Sequence, residues 1–275
     1  MMDIKHLLQL SKKADAKLYG LTRNNILENI QFLIENSLDR LTITTLSSLT
    51  IIGTNIKLNN PIFWNTLATD ILKKANKTGE HNSDTLSIIY FNYVTSYPYI
   101  PNDFFKNLEK RLVIGARFLN YRSISQTIWS FSKRKRAEES TIKTFENTSI
   151  QKLKFMNYAD LGQICLGLSM YPAFGTSEEF KKELEIVVLD NMKSMDNLNL
   201  IFVGKGLVSR KIFSEEFFEY LSLKTYKDMD NLHNVSIKEI AYILAEVNKD
   251  LELPFLERMQ ELKIKSGLVK EEHLY

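Results

Sequence analysis

The sequence predicts an all-α protein, a right-handed-type α-solenoid of about six or seven antiparallel helix pairs in repeats of 37–40 residues. The first observation is a recurring helix start. Thr45, Thr85, Ser123, Asp160, Asn197 and Ser236 succeed one another at steps of 37–40 residues. Each has a side-chain oxygen that can accept from the free N–H groups of a first helical turn. The second observation is an apolar register after each start. Leu46, Leu86, Ile124, Leu161, Leu198 and Ile237 come next, and Leu49, Ile89, Thr127, Ile164, Ile201 and Ile240 three residues later. A cap with apolar residues at that spacing begins an amphipathic helix, and six of them at near-constant period describe stacked units. The third is the weakness of strand signals, with only ten Gly and five Pro in 275 residues.

Each unit reads as helix A, a turn, helix B and a second turn. The N-terminal stretch 1–44 holds a degenerate pair, with Ile4, Leu7 and Leu8 on a helix A and Ile26 and Ile30 on a helix B. Six hairpin repeats then occupy 45–263, starting near 45, 85, 123, 160, 197 and 236, and 264–275 forms a tail. In the first two B helices Pro61 with Trp64 and Leu67 matches Pro101 with Phe105 and Leu108. Proline suits a first turn, where its missing N–H has no partner to lose. Two later B helices open on Ser177-Glu178-Glu179-Phe180 and Ser214-Glu215-Glu216-Phe217, a cap serine with glutamates in the positive first turn. Leu184 and Leu221 keep the step, and Pro254-Phe255 with Met259 fills the last unit. Trp64, Phe105, Phe180, Phe217 and Phe255 form a helix B core column. The A–B turns fall at Asn59-Asn60, Tyr97-Pro98, Lys133 to Arg136, Tyr171-Pro172, Arg210-Lys211 and Asn248 to Asp250. The polar stretch Lys74 to Asp84 reads as a long B-to-A loop. Asn120-Tyr121 and Asn157-Tyr158 are the closest match between units, and Gln126 aligns with Gln163.

Cysteine and motif content argue against catalysis. Cys165 is the single cysteine, so a reducing compartment is expected, and its place inside a helix A reads as a small buried hydrophobe. His6, His81, His233 and His273 have no metal-ligand spacing, and no phosphate-binding, dinucleotide, nucleophile-elbow or zincin motif is present. No enzyme activity, metal, cofactor or small-molecule substrate is expected. No apolar run reaches the length of a membrane span, so no membrane insertion is expected either.

Charge carries the functional expectation. The chain is only +3 overall, yet between Phe105 and Tyr158 twelve Lys and Arg face four Glu. That block has an excess of eight positive charges, which leaves five negative over the remainder. Such a block attracts phosphates. Lys133-Arg134-Lys135-Arg136 is its densest part, and Arg122, Gln126 and Ser130 precede it at helical spacing. Arg122, Gln126, Lys133, Arg134, Lys135 and Arg136 are therefore the candidate RNA contacts. Lys205, Arg210 and Lys211 form a second patch. The same run also reads as a solvated loop or a nuclear localisation signal. Trp129, Phe131, Tyr90 and Tyr93 could stack on bases, but they fall on or beside the apolar side of helix A, and core packing is the favoured reading.

The segment Ser123-Ile124-Ser125-Gln126-Thr127-Ile128-Trp129-Ser130-Phe131-Ser132-Lys133 resembles the helix A signature of octotricopeptide and heptatricopeptide repeats. These repeats precede the RAP module in proteins related to the FAST-kinase-domain family. The resemblance is good in this unit, partial in those starting at Asp160 and Asn197 and poor elsewhere, and no RAP-like stretch follows Lys263. It implies a non-catalytic organellar RNA-binding protein. Together with the Asn-, Lys- and Ile-rich composition, it implies an rRNA-binding part of a mitochondrial ribosome in the matrix, held among other ribonucleoprotein subunits. In the first 25 residues Lys5, Lys12, Lys13, Lys17 and Arg23 outnumber Asp3 and Asp15. A transit peptide is usually acid-poor and Ser/Arg-rich, so the mitochondrial expectation rests on the resemblance more than on a targeting signal. In that ribonucleoprotein Phe213 and Tyr275 are candidate contacts to neighbouring proteins, or ordinary scattered surface hydrophobes. The rival expectation is a protein–protein scaffold or accessory subunit of a respiratory or ATP synthase complex.

Overall fold

The computed structural model describes residues 3–13, 19–77, 79–97, 99–135, 138–171 and 176–247, with the isolated helical positions Glu257 and Gln260. Pro98, Arg136, Pro172, Asn248 to Asp250, Pro254, Phe255, Met259 and the tail 264–275 lie outside the described residues. The described chain is all-helical, without a strand. In order the helices are α1 (Ile4–Lys13), α2 (Tyr19–Ser37), α3 (Ile43–Asn55), α4 (Pro61–Ala75), α5 (Ser83–Ser96), α6 (Asn102–Ile114) and α7 (Tyr121–Arg134). They continue with α8 (Glu139–Ser149), α9 (Tyr158–Ser169), α10 (Glu178–Asn191), α11 (Asn197–Ser209), α12 (Glu215–Asp228) and α13 (Asn234–Glu246). A 3-10 turn comes after each even helix from α2 to α12, at Leu38–Arg40, Glu80–Asn82, Ala116–Phe118, Ile150–Phe155, Met192–Ser194 and Met229–Asn231.

Two compact units divide the chain, Met1–Thr148 and Ser149–Tyr275. In the first, α1 packs on α3, α3 on α5 and α5 on α7, and even helices lie against odd neighbours. The odd helices meet through small polar side chains. Asn92 Nδ2 donates to Thr50 Oγ1 at 3.1 Å, Ser96 Oγ to Thr54 Oγ1 at 2.9 Å, and Ser87 Oγ to the Ser123 carbonyl at 2.9 Å. Behind them runs a chain of mostly edge-to-face aromatic contacts. Trp64 meets Tyr93, Tyr93 meets Phe104, Phe104 meets Phe105, Phe105 meets Tyr90, Tyr90 meets Phe131 and Phe131 meets Phe145, at centroid separations of 4.5–5.4 Å. Such pairs add about 0.5–1.5 kcal/mol each beyond the burial of their area. The polar ends are satisfied: Tyr93 Oη donates to the Trp64 carbonyl and Trp64 Nε1 to the Leu58 carbonyl. Tyr90, Tyr93 and Phe131 are core, as expected. Trp129 is half-exposed instead.

In the second unit α9 packs on α11, α11 on α13 and α10 on α12. Here glycine does what hydroxyls do in the first unit. A Cβ on Gly206 would lie 2.4 Å from Cys165 Cβ and 2.7 Å from its Cα. One on Gly162 would lie 2.2 Å from Asn199 Oδ1. Gly206 is required by the close approach of α11 to the α9 backbone, whereas at Gly162 only the end of the Asn199 side chain would have to move.

Helix starts differ from the sequence expectation by up to three residues. The caps are Thr42, Asn82, Asn120, Asn157, Asp196 and His233. Thr45, Ser123 and Asp160 supply the backbone N–H that the cap side chain accepts, at 3.2, 2.9 and 2.9 Å. A polar residue followed by an aliphatic marks the third and fourth helical positions as readily as the cap and the first. In α11 the register also slips. Asn197 is the first helical residue and bonds Asp228, Asp196 caps the helix, and Leu198 is 56% exposed while Leu200 and Val203 are buried. The missed signal is an apolar residue just before the cap: Leu41, Leu119, Met156, Met195 and Leu232. Together with the buried Leu46, Ile124, Leu161, Leu200 and Ile237 they fit the hydrophobic-staple pattern. Among the B helices, Ser177 caps α10 by accepting from Phe180 N, whereas Pro101 is itself the cap position of α6. Lys74 lies inside α4 and pairs with Asp70.

Two substitutions probe this packing. Gly206→Ala forces a backbone collision with α9 and lowers unfolding stability by about 1–3 kcal/mol in chemical denaturation. Asn157→Ala removes two accepted N–H bonds at the start of α9 and costs about 1 kcal/mol in the same measurement.

Candidate nucleic-acid interface

The first unit presents a stripe along α7. Arg122, Gln126, Trp129 and Lys133 recur at i, i+4, i+7 and i+11, so they share one helix face. At 100° per residue Trp129 falls within about 20° of Arg122 around the axis, whereas Ser130 is about 80° away. Arg122 and Lys133 are exposed, Gln126 and Trp129 half-exposed, and Ser130 is fully buried. Ser130 therefore does not belong to the surface stripe. Its hydroxyl donates to the Gln126 carbonyl at 2.6 Å, as Ser125, Thr127 and Ser132 donate one turn back. This back-bonding lets a hydroxyl-rich helix be buried without unmet donors.

Neighbouring α5 adds an aromatic edge. The Phe91 and Trp129 rings lie 5.3 Å apart at an interplanar angle of 50°, and Lys133 Nζ stands 5.8 Å from the Trp129 centroid. Phe91 is half-exposed. Sequence reasoning missed both rings as surface groups by assigning Trp129 to the core. The available signal was the 38-residue offset that puts Phe91 and Trp129 at equivalent places with respect to their caps.

Other candidate residues divide by environment. Lys135 is exposed and ends α7 in the left-handed conformation at φ 51°. Arg134 points back into the fold: its guanidinium lies 3.4 Å from the Phe105 centroid and donates to Asn102 Oδ1 at 3.2 Å. It is a packing residue, not a free phosphate contact. Arg136 lies outside the described residues. In the second unit Lys205 pairs with Glu239 of α13, and Lys211 is exposed at φ 55°. Arg210 corrects the sequence expectation outright. It is 1% exposed, and its Nη1 donates to the Tyr171 carbonyl at 2.9 Å, tying the end of α9 to α11. A guanidinium so placed does not reach a phosphate.

The glutamates of the basic block neutralise it only in part. Glu139 pairs with Lys143, Glu109 accepts from the Tyr90 hydroxyl, and Glu146 is buried. Lys106, Lys110, Arg122, Lys133, Lys135 and Lys154 are exposed and pair with no carboxylate among the described residues. Burial pushes the Cys165 thiol up to about 12, against a smaller lowering by Arg210. A thiol held neutral in this way is a poor nucleophile. Among the described residues no group of His, Cys, Asp and Glu is placed to hold a metal, and no helix is long and apolar enough to cross a membrane. No protein-family model matches the chain, and no curated protein matches it significantly.

Neighbouring basic residues should separate cleanly. Arg210→Ala loses the bond to the Tyr171 carbonyl and costs about 2–3 kcal/mol of stability, whereas Lys211→Ala changes it by about 0.5 kcal/mol or less. The Cys165 thiol should resist a disulfide reagent in the native protein at pH 8 and react on unfolding. Because the folded thiol keeps its proton up to about 12 against an ordinary 9.0, its stability contribution is full below that ordinary value and is lost as pH rises through the folded one.

Proposed function

We propose that this protein binds single-stranded RNA without catalysing a reaction, through the α5–α7 face of its first unit. In this reading the alternating helices are the pairs of an α-solenoid, with odd helices lining the ligand side. Arg122 and Lys133, at the two ends of the α7 stripe, and Lys135 just beyond it hold phosphates. Trp129 and Phe91 offer aromatic faces between them, and Gln126 supplies a hydrogen-bonding amide. The observation that carries the reading is this stripe, in which two exposed unpaired cations bracket a half-exposed Trp–Phe pair. Charge brings any phosphate backbone, and exposed rings favour strands whose bases are unstacked.

The resemblance of residues 123–133 to octotricopeptide-type repeats supports placing the protein in an organelle, as an rRNA-binding part of a mitochondrial ribosome. The ion pairs Lys205–Glu239, Arg117–Glu80 and Lys143–Glu139 favour a second reading. By taking cations out of play, they leave a smaller basic surface and suit a protein scaffold of a respiratory or ATP synthase assembly. Lysate sedimentation separates the two. Co-migration with ribosomal particles that is lost on ribonuclease treatment supports the first reading. Nuclease-insensitive migration with a membrane complex supports the second.

A salt titration tests the face directly. Three phosphate contacts give a log–log slope of about −2 for single-stranded RNA. The triple variant Arg122→Gln, Lys133→Gln, Lys135→Gln should flatten the slope by about that amount, with the fold intact by circular dichroism. An unchanged slope would sink the assignment of these residues.

A further inference from the structure

A five-residue pattern recurs at two B-to-A turns, 37 residues apart. Arg117-Phe118-Leu119-Asn120-Tyr121 leads into α7, and Lys154-Phe155-Met156-Asn157-Tyr158 leads into α9. Two of its five positions have a structural duty. Leu119 and Met156 are buried before the cap. Asn120 and Asn157 accept the first-turn N–H groups of their helices. Leucine, methionine and asparagine therefore explain themselves. The two aromatics do not, nor does Lys154, whereas Arg117 pairs with Glu80.

Both rings in each turn face outward. Phe118 is 46% and Tyr121 39% exposed in the first, Phe155 61% and Tyr158 42% in the second. A cation lies over the phenylalanine in both: Arg117 Cζ stands 4.6 Å from the Phe118 centroid, and Lys154 Nζ 5.1 Å from that of Phe155. The equivalent turns before α3, α11 and α13 read Asp39-Arg40-Leu41-Thr42-Ile43, Lys193-Ser194-Met195-Asp196-Asn197 and Asp230-Asn231-Leu232-His233-Asn234. They keep the apolar residue and a polar cap but have no Phe or Tyr on either side. Folding this turn thus does not require such rings. Four large apolar rings kept in water at matched places, each pair beside a cation, call for a ligand with flat apolar faces and negative charge.

We propose that these two turns are base-stacking subsites for single-stranded nucleic acid, one in each unit. This rests on the RNA-binding reading of the α5–α7 face and extends it to a second class of contact. Each turn takes one unpaired base against its phenylalanine, Phe118 in the first and Phe155 in the second. The cation takes the adjoining phosphate: Lys154 in the second turn, and Arg122 in the first, since Arg117 already pairs with Glu80 at 3.0 Å. The first-turn N–H groups are occupied by Asn120 and Asn157, so the helix ends themselves are not the anion sites. A stacking platform tolerates any base, so the subsites add affinity without sequence preference.

The experiment compares two probes with the full chain: a labelled 15-nucleotide oligouridine, and a strand of equal length and charge with no bases. Phe118→Leu with Phe155→Leu keeps apolar bulk and removes the π faces. Phe118→Ala with Phe155→Ala removes both. Stacking predicts that either pair weakens oligouridine binding by about tenfold or more, with the salt slope unchanged and base-free binding unaffected. Wild-type affinity of both pairs for oligouridine overturns the subsites and leaves the α5–α7 reading standing. No oligouridine binding by the unaltered chain overturns both. If only the alanine pair loses co-migration with a partner in ribonuclease-treated lysate, and oligouridine binding is unchanged, the rings are protein contacts and the proposal is overturned.

Discussion

Odd-numbered helices meet through side chains too small to hold them apart. In the first unit the contacts are Thr50 with Asn92, Thr54 with Ser96 and Ser87 with the Ser123 carbonyl. In the second, Gly206 lies so close to Cys165 that no side chain fits. Close approach leaves each of these helices with little free surface. Even polar residues on α7, Ser125, Thr127, Ser130 and Ser132, are buried and satisfied within their own helix. The part left outward is a narrow stripe, and its content is therefore informative. On α7 that stripe is Arg122, Gln126, Trp129 and Lys133.

The aromatic chain from Trp64 to Phe145 supports this geometry from behind. It links α4, α5, α6, α7 and α8 through mostly edge-to-face contacts that fix ring orientation as well as burying area. Arg134 joins it by stacking on Phe105, which explains why one member of a four-residue basic run turns inward while Lys133 and Lys135 remain outside. Arg210 performs a similar duty in the second unit by closing α9 onto α11. Basic residues at helix ends here serve two purposes, and exposure separates them where composition does not.

The helical class and the repeat length were legible because both rest on short-range patterns: a polar cap region, then aliphatics at helical spacing. The precise starts were less so. Thr45, Ser123 and Asp160 look like caps but are the third helical residues, since both positions favour small polar side chains before an aliphatic. The slip at α11 came from aligning Asn197 rather than Asp196, and it put Leu198 in a core column that Leu200 and Val203 occupy. For the site, Arg122, Gln126, Lys133 and Lys135 have the expected surface position, at least in part. Ser130 and Trp129 exchanged roles because polarity suggests exposure, whereas a serine can satisfy its hydroxyl internally and a tryptophan at the stripe cannot turn away. Arg210 was illegible for the converse reason. A buried guanidinium is betrayed only by a tertiary partner, the Tyr171 carbonyl 39 residues earlier.

Ultraviolet crosslinking of the protein to a uridine-rich single strand, with mapping of the modified peptides, tests the central claim most directly. An RNA face on α5 and α7 predicts crosslinks at Trp129 and Phe91, suppressed at high salt together with binding. Crosslinks confined to peptides lacking both residues, with binding intact, would contradict it.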